Sequence, residues 1–177
     1  TGTVGKFLPG IEWRLDPVPG IDSGGNLVVR GPNLMEGYLL YEQEFRPVDG
    51  WYATGDVVSV DSAGYVSIQA RLKRFAKIAG EMINLQLVEE AASACFSTGL
   101  HAAVAAADGR KGERVVLFTT NSQTTRDVLR EYFLQAGHSV LYVPSRIVSI
   151  AAMPLLGTGK PDYLGLQKQA EKLLNGV

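Results

Sequence analysis

Gly50-Trp51-Tyr52-Ala53-Thr54-Gly55-Asp56, then Asp61-Ser62-Ala63-Gly64-Tyr65, then Ala70-Arg71-Leu72-Lys73-Arg74-Phe75-Ala76-Lys77-Ile78-Ala79-Gly80-Glu81-Met82-Ile83 make up the stretch on which the rest of the chain turns. A carboxylate in a glycine turn leads into a hairpin, and the hairpin runs into a dense basic segment that ends at a glycine. Val57-Val58-Ser59-Val60 and Tyr65-Val66-Ser67-Ile68 flank the turn at 61–64 and predict two antiparallel strands. Val66, Ile68 and Ala70 are expected on one face of the second strand, with Tyr65, Ser67 and Gln69 on the other. As chemistry, Asp56 and Arg71 suit a polyhydroxyl, phosphate-bearing ligand. A carboxylate accepts hydrogen bonds from a diol, and a guanidinium forks onto hydroxyl or phosphate oxygens. By spacing alone the stretch reads more readily as a turn aspartate followed by solvated basic residues on an edge strand, since short motifs match by chance.

Upstream, the chain is rich in Gly and Pro and reads as short strands, at residues 11–15 and 27–30, with Gly24-Gly25-Asn26 as the turn between them. Downstream the pattern becomes helical. Val88, Ala91, Ala92, Cys95 and Phe96 recur at helical spacing behind Asn84, a suitable N-cap. Two continuous apolar runs, 101–107 and 115–119, are joined by a turn at 108–112. They predict strands covered on both faces, or by a helix on one face and a neighbouring domain on the other. Thr124 and Asp127 resemble a capping box ahead of a helix carrying Val128, Leu129, Tyr132, Phe133 and Ala136, which Gly137 stops. Residues 145–150 read as a short strand, and Asp162 as the cap of a last helix with Leu166, Ala170 and Leu173 inward. The expected fold class is α+β. A small β-rich segment at 1–72, the end of a larger domain, precedes a compact α+β lobe at 73–177, with Lys73 at the join.

The 177 residues are 46% hydrophobic, enough for a real core, and the net charge of −1 argues against a nucleic-acid binder held by a basic face. No apolar run approaches the roughly 20 residues a membrane-spanning helix needs. The N-terminus lacks the apolar core of a signal peptide, and a start without Met gives the expectation of a piece of something longer. The single cysteine, Cys95, excludes an internal disulfide framework and sits on an apolar helix face, as a structural thiol does. His101 and His138 have no partner at metal-ligand spacing, and Asp16, Asp22, Glu42 and Glu44 are scattered in loops, so no metal site is expected.

Near the C-terminus stands Met153-Pro154-Leu155-Leu156-Gly157-Thr158-Gly159-Lys160-Pro161. It is not a phosphate-cradling P-loop: Pro154 occupies the place of the first glycine, and Pro161 follows the lysine where Ser or Thr is required. What remains is a lysine on a glycine turn before a helix, able to neutralise anionic oxygens in a transition state or simply to be solvated.

Thr54-Gly55-Asp56, Asp61-x-x-Gly64, Arg71-x-Lys73, Lys77-x-x-Gly80 and the distal Pro154-x-x-x-x-Gly159-Lys160 occur in that order. Together they resemble the C-terminal motifs of the acyl-adenylate-forming superfamily, which includes acyl-CoA synthetases, luciferases and the adenylation domains of peptide synthetases. Gly2-Thr3-Val4-Gly5-Lys6-x-x-Pro9-Gly10 and Val29-Arg30-Gly31-Pro32-x-x-x-x-Gly37-Tyr38 are similar to the same family, so the resemblance covers nearly the whole chain. Residues 73–82 and 153–162 carry a narrower resemblance. It is to the bacterial bifunctional 2-acylglycerophosphoethanolamine acyltransferase/acyl-[acyl-carrier-protein] synthetases, in which an acyltransferase domain precedes the adenylating part.

The resemblance implies roles. Asp56 would bind the ribose hydroxyls of ATP and of the acyl-adenylate, with Arg71 assisting, and Mg2+ would be held mainly by an upstream domain. Lys73 would be the hinge of a mobile lobe. Lys160 would be catalytic, bridging the carboxylate and the α-phosphate during adenylation. After pyrophosphate leaves, rotation would withdraw Lys160 and bring Lys77, Gly80 and Glu81 to the site, where the phosphopantetheine thiol of acyl carrier protein attacks the mixed anhydride. The implied partners are acyl carrier protein and a fatty acid, with a lysophospholipid for the parent protein, on the cytoplasmic side of a bacterial inner membrane. No nucleic acid is implied, nor membrane insertion by this segment. Ala70 in place of a usual glycine, and Leu87 where many relatives carry glutamate, depart from the pattern. A CoA or amino-acid substrate remains open, because the acyl pocket lies upstream. So does a non-catalytic module that meets an acidic carrier protein through Arg71, Lys73, Arg74 and Lys77.

Overall fold

The computed structural model describes residues 2–175 apart from 22, 40, 42 and 111. Asp22 and Glu42, two of the scattered loop carboxylates, therefore lie outside the described residues, as does Lys111 of the turn at 108–112. The chain divides into two compact units, Thr1–Lys73 and Arg74–Val177, and its architecture is mixed α+β.

The first unit holds strands β1 (Glu12–Asp16), β2 (Gly25–Arg30), β3 (Gly37–Tyr38), β4 (Arg46–Pro47), β5 (Tyr52–Val60) and β6 (Val66–Arg71). An antiparallel sheet runs in the order β1-β2-β5-β6, and β3 pairs with β4 apart from it. Gly25 and Asn26, expected in a turn, begin β2 because they pair with Val58 and Val57 of β5. The turn between β5 and β6 is closed by the Asp61 carboxylate, which accepts from the backbone N–H groups of Ala63 at 2.9 Å and Tyr65 at 2.8 Å. Val28, Val57, Val58, Val66 and Ala70 are buried.

Asp56 is not in a glycine turn but inside β5, at a bulge. On β2 a single residue separates the partners of Ala53 and Val57, so Thr54, Gly55 and Asp56 stand opposite Leu27 alone. Gly55 takes φ +76°, a left-handed conformation open to glycine. Thr54 supplies the hydrogen bonds the irregular ladder lacks: its Oγ1 donates to the Leu27 carbonyl at 2.9 Å and accepts from the Asp56 N–H at 3.1 Å. A second irregularity falls on β6, where Gln69 is the extra residue between the partners of Val57 and Val58. It breaks the expected alternation, since one added residue reverses the faces beyond it. Ile68 lines a small cavity with Val58 and Val66 and is half exposed, whereas Ala70 pairs with Val57 and is buried.

The second unit comprises β7 (Phe75–Ile78), β8 (Glu81–Asn84), α1 (Leu85–Cys95), β9 (His101–Asp108), β10 (Gly112–Thr119), α2 (Arg126–Gln135), β11 (Arg146–Ser149) and α3 (Tyr163–Asn175). β10 pairs antiparallel with β9 and parallel with β11, and Gly112 joins it to Ile78 of the β7–β8 hairpin. Both faces of the β9–β10 pair are covered, the first of the two alternatives. Ala103, Ala105, Val115 and Leu117 share a core with Val88, Ala91 and Ala92 of α1 and Leu129 and Phe133 of α2. Ala102, Val104, Ala106, Val116 and Phe118 pack instead with Met153 and with Leu166 and Ala170 of α3.

The caps differ in part from expectation. Asn84 caps α1, its side chain accepting from the Gln86 N–H at 2.9 Å, and Asp162 accepts from the Gly165 N–H at 3.0 Å. Thr124 is not the cap of α2; Thr125 is, without a side-chain hydrogen bond. The Thr124 hydroxyl is buried 3.2 Å from Thr119 Oγ1, which also lies 3.0 Å from His101 Nδ1. On α3 the inward stripe continues to Leu174, not Leu173, which is exposed.

Candidate active site

Because Gln69 is inserted, Arg71 stands opposite Asp56; with a regular ladder Ala70 would hold that place. Arg71 Nε lies 2.8 Å from Asp56 Oδ1, an ion-pair contact between a side chain 70% exposed and one 18% exposed. The contact lacks hydrogen-bond alignment, and Oδ1 is buried with no hydrogen-bond donor among the described residues. The carboxylate also borders a cavity of about 120 Å³ with Lys6, Phe7 and Leu27. Oδ1 is thus enclosed against Arg71, and among the described residues Oδ2 is left without a hydrogen bond.

Lys73 is exposed at the end of the first unit. Lys77, Gly80 and Glu81 belong to the β7–β8 hairpin, where Lys77 pairs with Met82 and Ile78 with Glu81. The loop is the two residues Ala79 and Gly80, at φ +51° and +90°, so both central positions are left-handed. A side chain at Gly80 would meet nothing within 4 Å, so the backbone conformation, not crowding, calls for glycine there. The Lys77 N–H donates to Glu113 of β10 at 2.5 Å, leaving its ammonium exposed.

Lys160 lies on a different element, a hairpin closed by backbone hydrogen bonds. Gly159 N–H donates to the Leu156 carbonyl at 2.9 Å, Leu156 N–H to the Lys160 carbonyl at 2.8 Å, and Asp162 N–H to the Pro154 carbonyl at 2.9 Å. Its side chain is exposed. Thus the structure brings Asp56 and Arg71 together in one unit, and Lys77, Gly80 and Glu81 together in the other, with Lys160 on its own hairpin.

Sequence reasoning missed a buried polar cluster. Arg74, read as part of an exposed basic face, is only 17% exposed, because its Nη2 donates to Glu89 Oε1 at 2.7 Å. Arg74 Nη1 donates to the Ala103 carbonyl at 3.0 Å, and the guanidinium stacks 3.9 Å from the Tyr163 ring centre. Glu89 also accepts from the Ala103 N–H at 2.7 Å and from the Tyr163 hydroxyl at 3.2 Å. The available signal was a carboxylate on the apolar stripe of α1, one turn from Leu85 and beside Val88.

Burial pushes the Glu89 carboxyl above the usual glutamate range, and the Arg74 charge offsets only part of that. The folded state then holds the Glu89 proton more tightly than the unfolded chain. This contribution is fully present below the ordinary glutamate value and is lost as pH rises through the raised one. Thermal melts across that window are expected to show the native protein losing stability relative to Glu89→Gln as pH rises. Parallel curves would refute the raised value.

Cys95 is half buried, which raises its thiol, and His101 is held by Thr119 and the Phe96 carbonyl, so both are structural. Among the described residues no three His, Cys, Asp or Glu side chains converge as metal ligands. Among the described residues no helix is long and apolar enough to cross a membrane. A cavity of about 470 Å³ beside α2 is lined by Arg114, Arg126 and Arg130 with Asp108, Glu113 and Asp127, and by none of the expected site residues.

No protein-family model matches the chain. It is 30% identical over 154 residues to the 3-methylmercaptopropionyl-CoA ligase of Ruegeria pomeroyi, covering 86% of this chain and 29% of that protein. It is 33% identical over 182 residues to pyochelin synthase PchD of Pseudomonas aeruginosa, covering 97% of this chain and 33% of that protein. In fold it matches ATP-bound MatB from Rhodopseudomonas palustris, with a TM-score of 0.73 at 24% identity over 97% of this chain and 36% of that one. The chain thus spans about a third of the length of these relatives. Its homologues and structural neighbours are adenylating enzymes of the AMP-binding, acyl-CoA-ligase kind. The α+β architecture described above is that of their C-terminal lobe.

Proposed function

We propose that the chain is the C-terminal portion of an ATP-dependent acid–thiol ligase that activates a fatty acid as its adenylate and transfers the acyl group to the phosphopantetheine thiol of acyl carrier protein. The observation that carries the reading is Asp56: a largely buried carboxylate, lodged in a bulge at the edge of a small cavity, with Arg71 against its Oδ1. A ribose diol supplies two donors to such a carboxylate. In the first step a carboxylate oxygen attacks the α-phosphorus and pyrophosphate leaves, while Lys160 stabilises the charge shared between the two groups. In the second, the thiol sulfur attacks the acyl carbon and AMP leaves, with the β7–β8 hairpin at the site. Lys73 is the hinge between the two arrangements. Mg2+ would accompany ATP and be held by residues outside this chain. We place the parent on the cytoplasmic side of a bacterial inner membrane, where an N-terminal domain would acylate a lysophospholipid. The segment alone, without a complete acyl and phosphate site, is expected to be inactive.

The resemblance of residues 73–82 and 153–162 to acyl-acyl-carrier-protein synthetases supports the carrier protein as acceptor. A second reading, with CoA as acceptor, is favoured by the relatives named as CoA ligases. The test is fatty-acid-dependent ATP–pyrophosphate exchange by the complete enzyme, followed by acyl transfer with acyl carrier protein and CoA in competition. Thioester on the carrier protein supports the first reading, and thioester on CoA alone replaces it with the second. Absence of exchange with any carboxylic acid overturns both.

A further inference from the structure

We propose that Arg74, Glu89 and Tyr163 are positioning residues that hold the Lys160 hairpin at a set place relative to the residue where the second unit begins. The proposal rests on the reading of Lys160 as the adenylating lysine. Arg74 directly follows Lys73, and Tyr163 is the first residue of α3, three positions after Lys160. The hairpin is joined to Tyr163 without slack: Leu155 and Pro161 form a β-bridge, and the Asp162 and Tyr163 N–H groups donate to the Pro154 and Pro161 carbonyls at 2.9 and 3.0 Å. From the other end, the Arg74 guanidinium is held in its plane by Glu89, by the Ala103 carbonyl and by the Tyr163 ring. Both Glu89 oxygens are engaged, one by Arg74 and the Ala103 N–H, the other by the Tyr163 hydroxyl.

Such a cluster adds little net stability over apolar residues of the same volume, because two charges have been desolvated. Its worth is directional. A planar fork with fixed donors specifies one orientation, which a lysine's point charge in place of Arg74 would not. A lobe that places Lys160 between two reacting groups needs that property, since a displacement of about 1 Å in a reacting arrangement can cost on the order of 100-fold in rate.

The test uses the complete enzyme and separates the half-reactions. Tyr163→Phe keeps the ring under Arg74 and removes only the hydroxyl; Glu89→Gln removes the charge; Arg74→Lys removes the fork. Each is expected to lower kcat for adenylation by about 10–100-fold with KM for ATP unchanged. Thioester formation from supplied acyl-adenylate is expected to stay at its native rate. In a Lys160→Ala background none of them should slow adenylation further, because the group they position is gone. Equal loss in both half-reactions, or the same loss with and without Lys160, assigns the cluster to stability alone and overturns the proposal. Should Glu89→Gln or Arg74→Lys fail to fold, Tyr163→Phe decides. Full adenylation by Lys160→Ala itself would instead remove the reading of Lys160, and this proposal with it.

Discussion

Replacing Lys160 by alanine in the complete enzyme is expected to lower adenylation by about 100–1000-fold, the range found when one preorganised electrostatic group is removed from a transition state. In the proposed mechanism the charge it neutralises develops as the carboxylate and the α-phosphoryl group approach, so the loss is expected on kcat more than on KM. The fold should be untouched. Backbone groups close the hairpin, and the side chain is exposed. Thioester formation from supplied acyl-adenylate should survive, since the proposed second step makes no use of Lys160. Rates for both half-reactions, measured separately, check the assignment; equal loss of both would contradict it.

Phe118→Ala is expected to destabilise the protein by about 3–5 kcal/mol, the usual cost of emptying a buried phenylalanine site. Phe118 is fully buried on β10, in the layer between the sheet and α3 that also holds Val104, Val116, Met153, Leu166 and Ala170. The strand lies between two packed layers, so neighbours on neither side can collapse far into the space. A typical domain has a total stability of about 5–15 kcal/mol, so the variant should lose much of its folded population on mild heating. Val128→Ala, on the half-exposed side of α2, is the control and should change stability by less than about 1 kcal/mol. Urea titrations that placed both variants near the native midpoint would show that this layer is not a close-packed core.

What could be read directly were the features set by local pattern. Asn84 and Asp162 cap their helices because an Asx side chain reaches the N–H groups of the first turn wherever it precedes one. The continuous apolar runs of β9 and β10 meant two covered faces, as found. The features that escaped depend on partners far along the chain. Nothing local reveals that Thr54, Gly55 and Asp56 face a single residue of β2, or that Gln69 is an extra residue. Those two irregularities aim Asp56 and bring Arg71 opposite it, so the motif was legible while its geometry was not. Thr124 misled because its hydroxyl had a better partner in Thr119, buried across the sheet end. Arg74 read as a surface charge because its counterion is fifteen residues on, on the inner face of α1.

In the proposed function one lobe serves both half-reactions by turning at Lys73. Nitroxide labels at Ser23→Cys and Glu131→Cys, one in each unit, with Cys95→Ser and with any cysteine beyond this chain replaced likewise, would report it by electron–electron double resonance on the complete enzyme. One distance is expected with ATP and a non-reactive analogue of the acid, and a different one with acyl-adenylate and a pantetheine thiol mimic. A single unchanged distance in both states would contradict it.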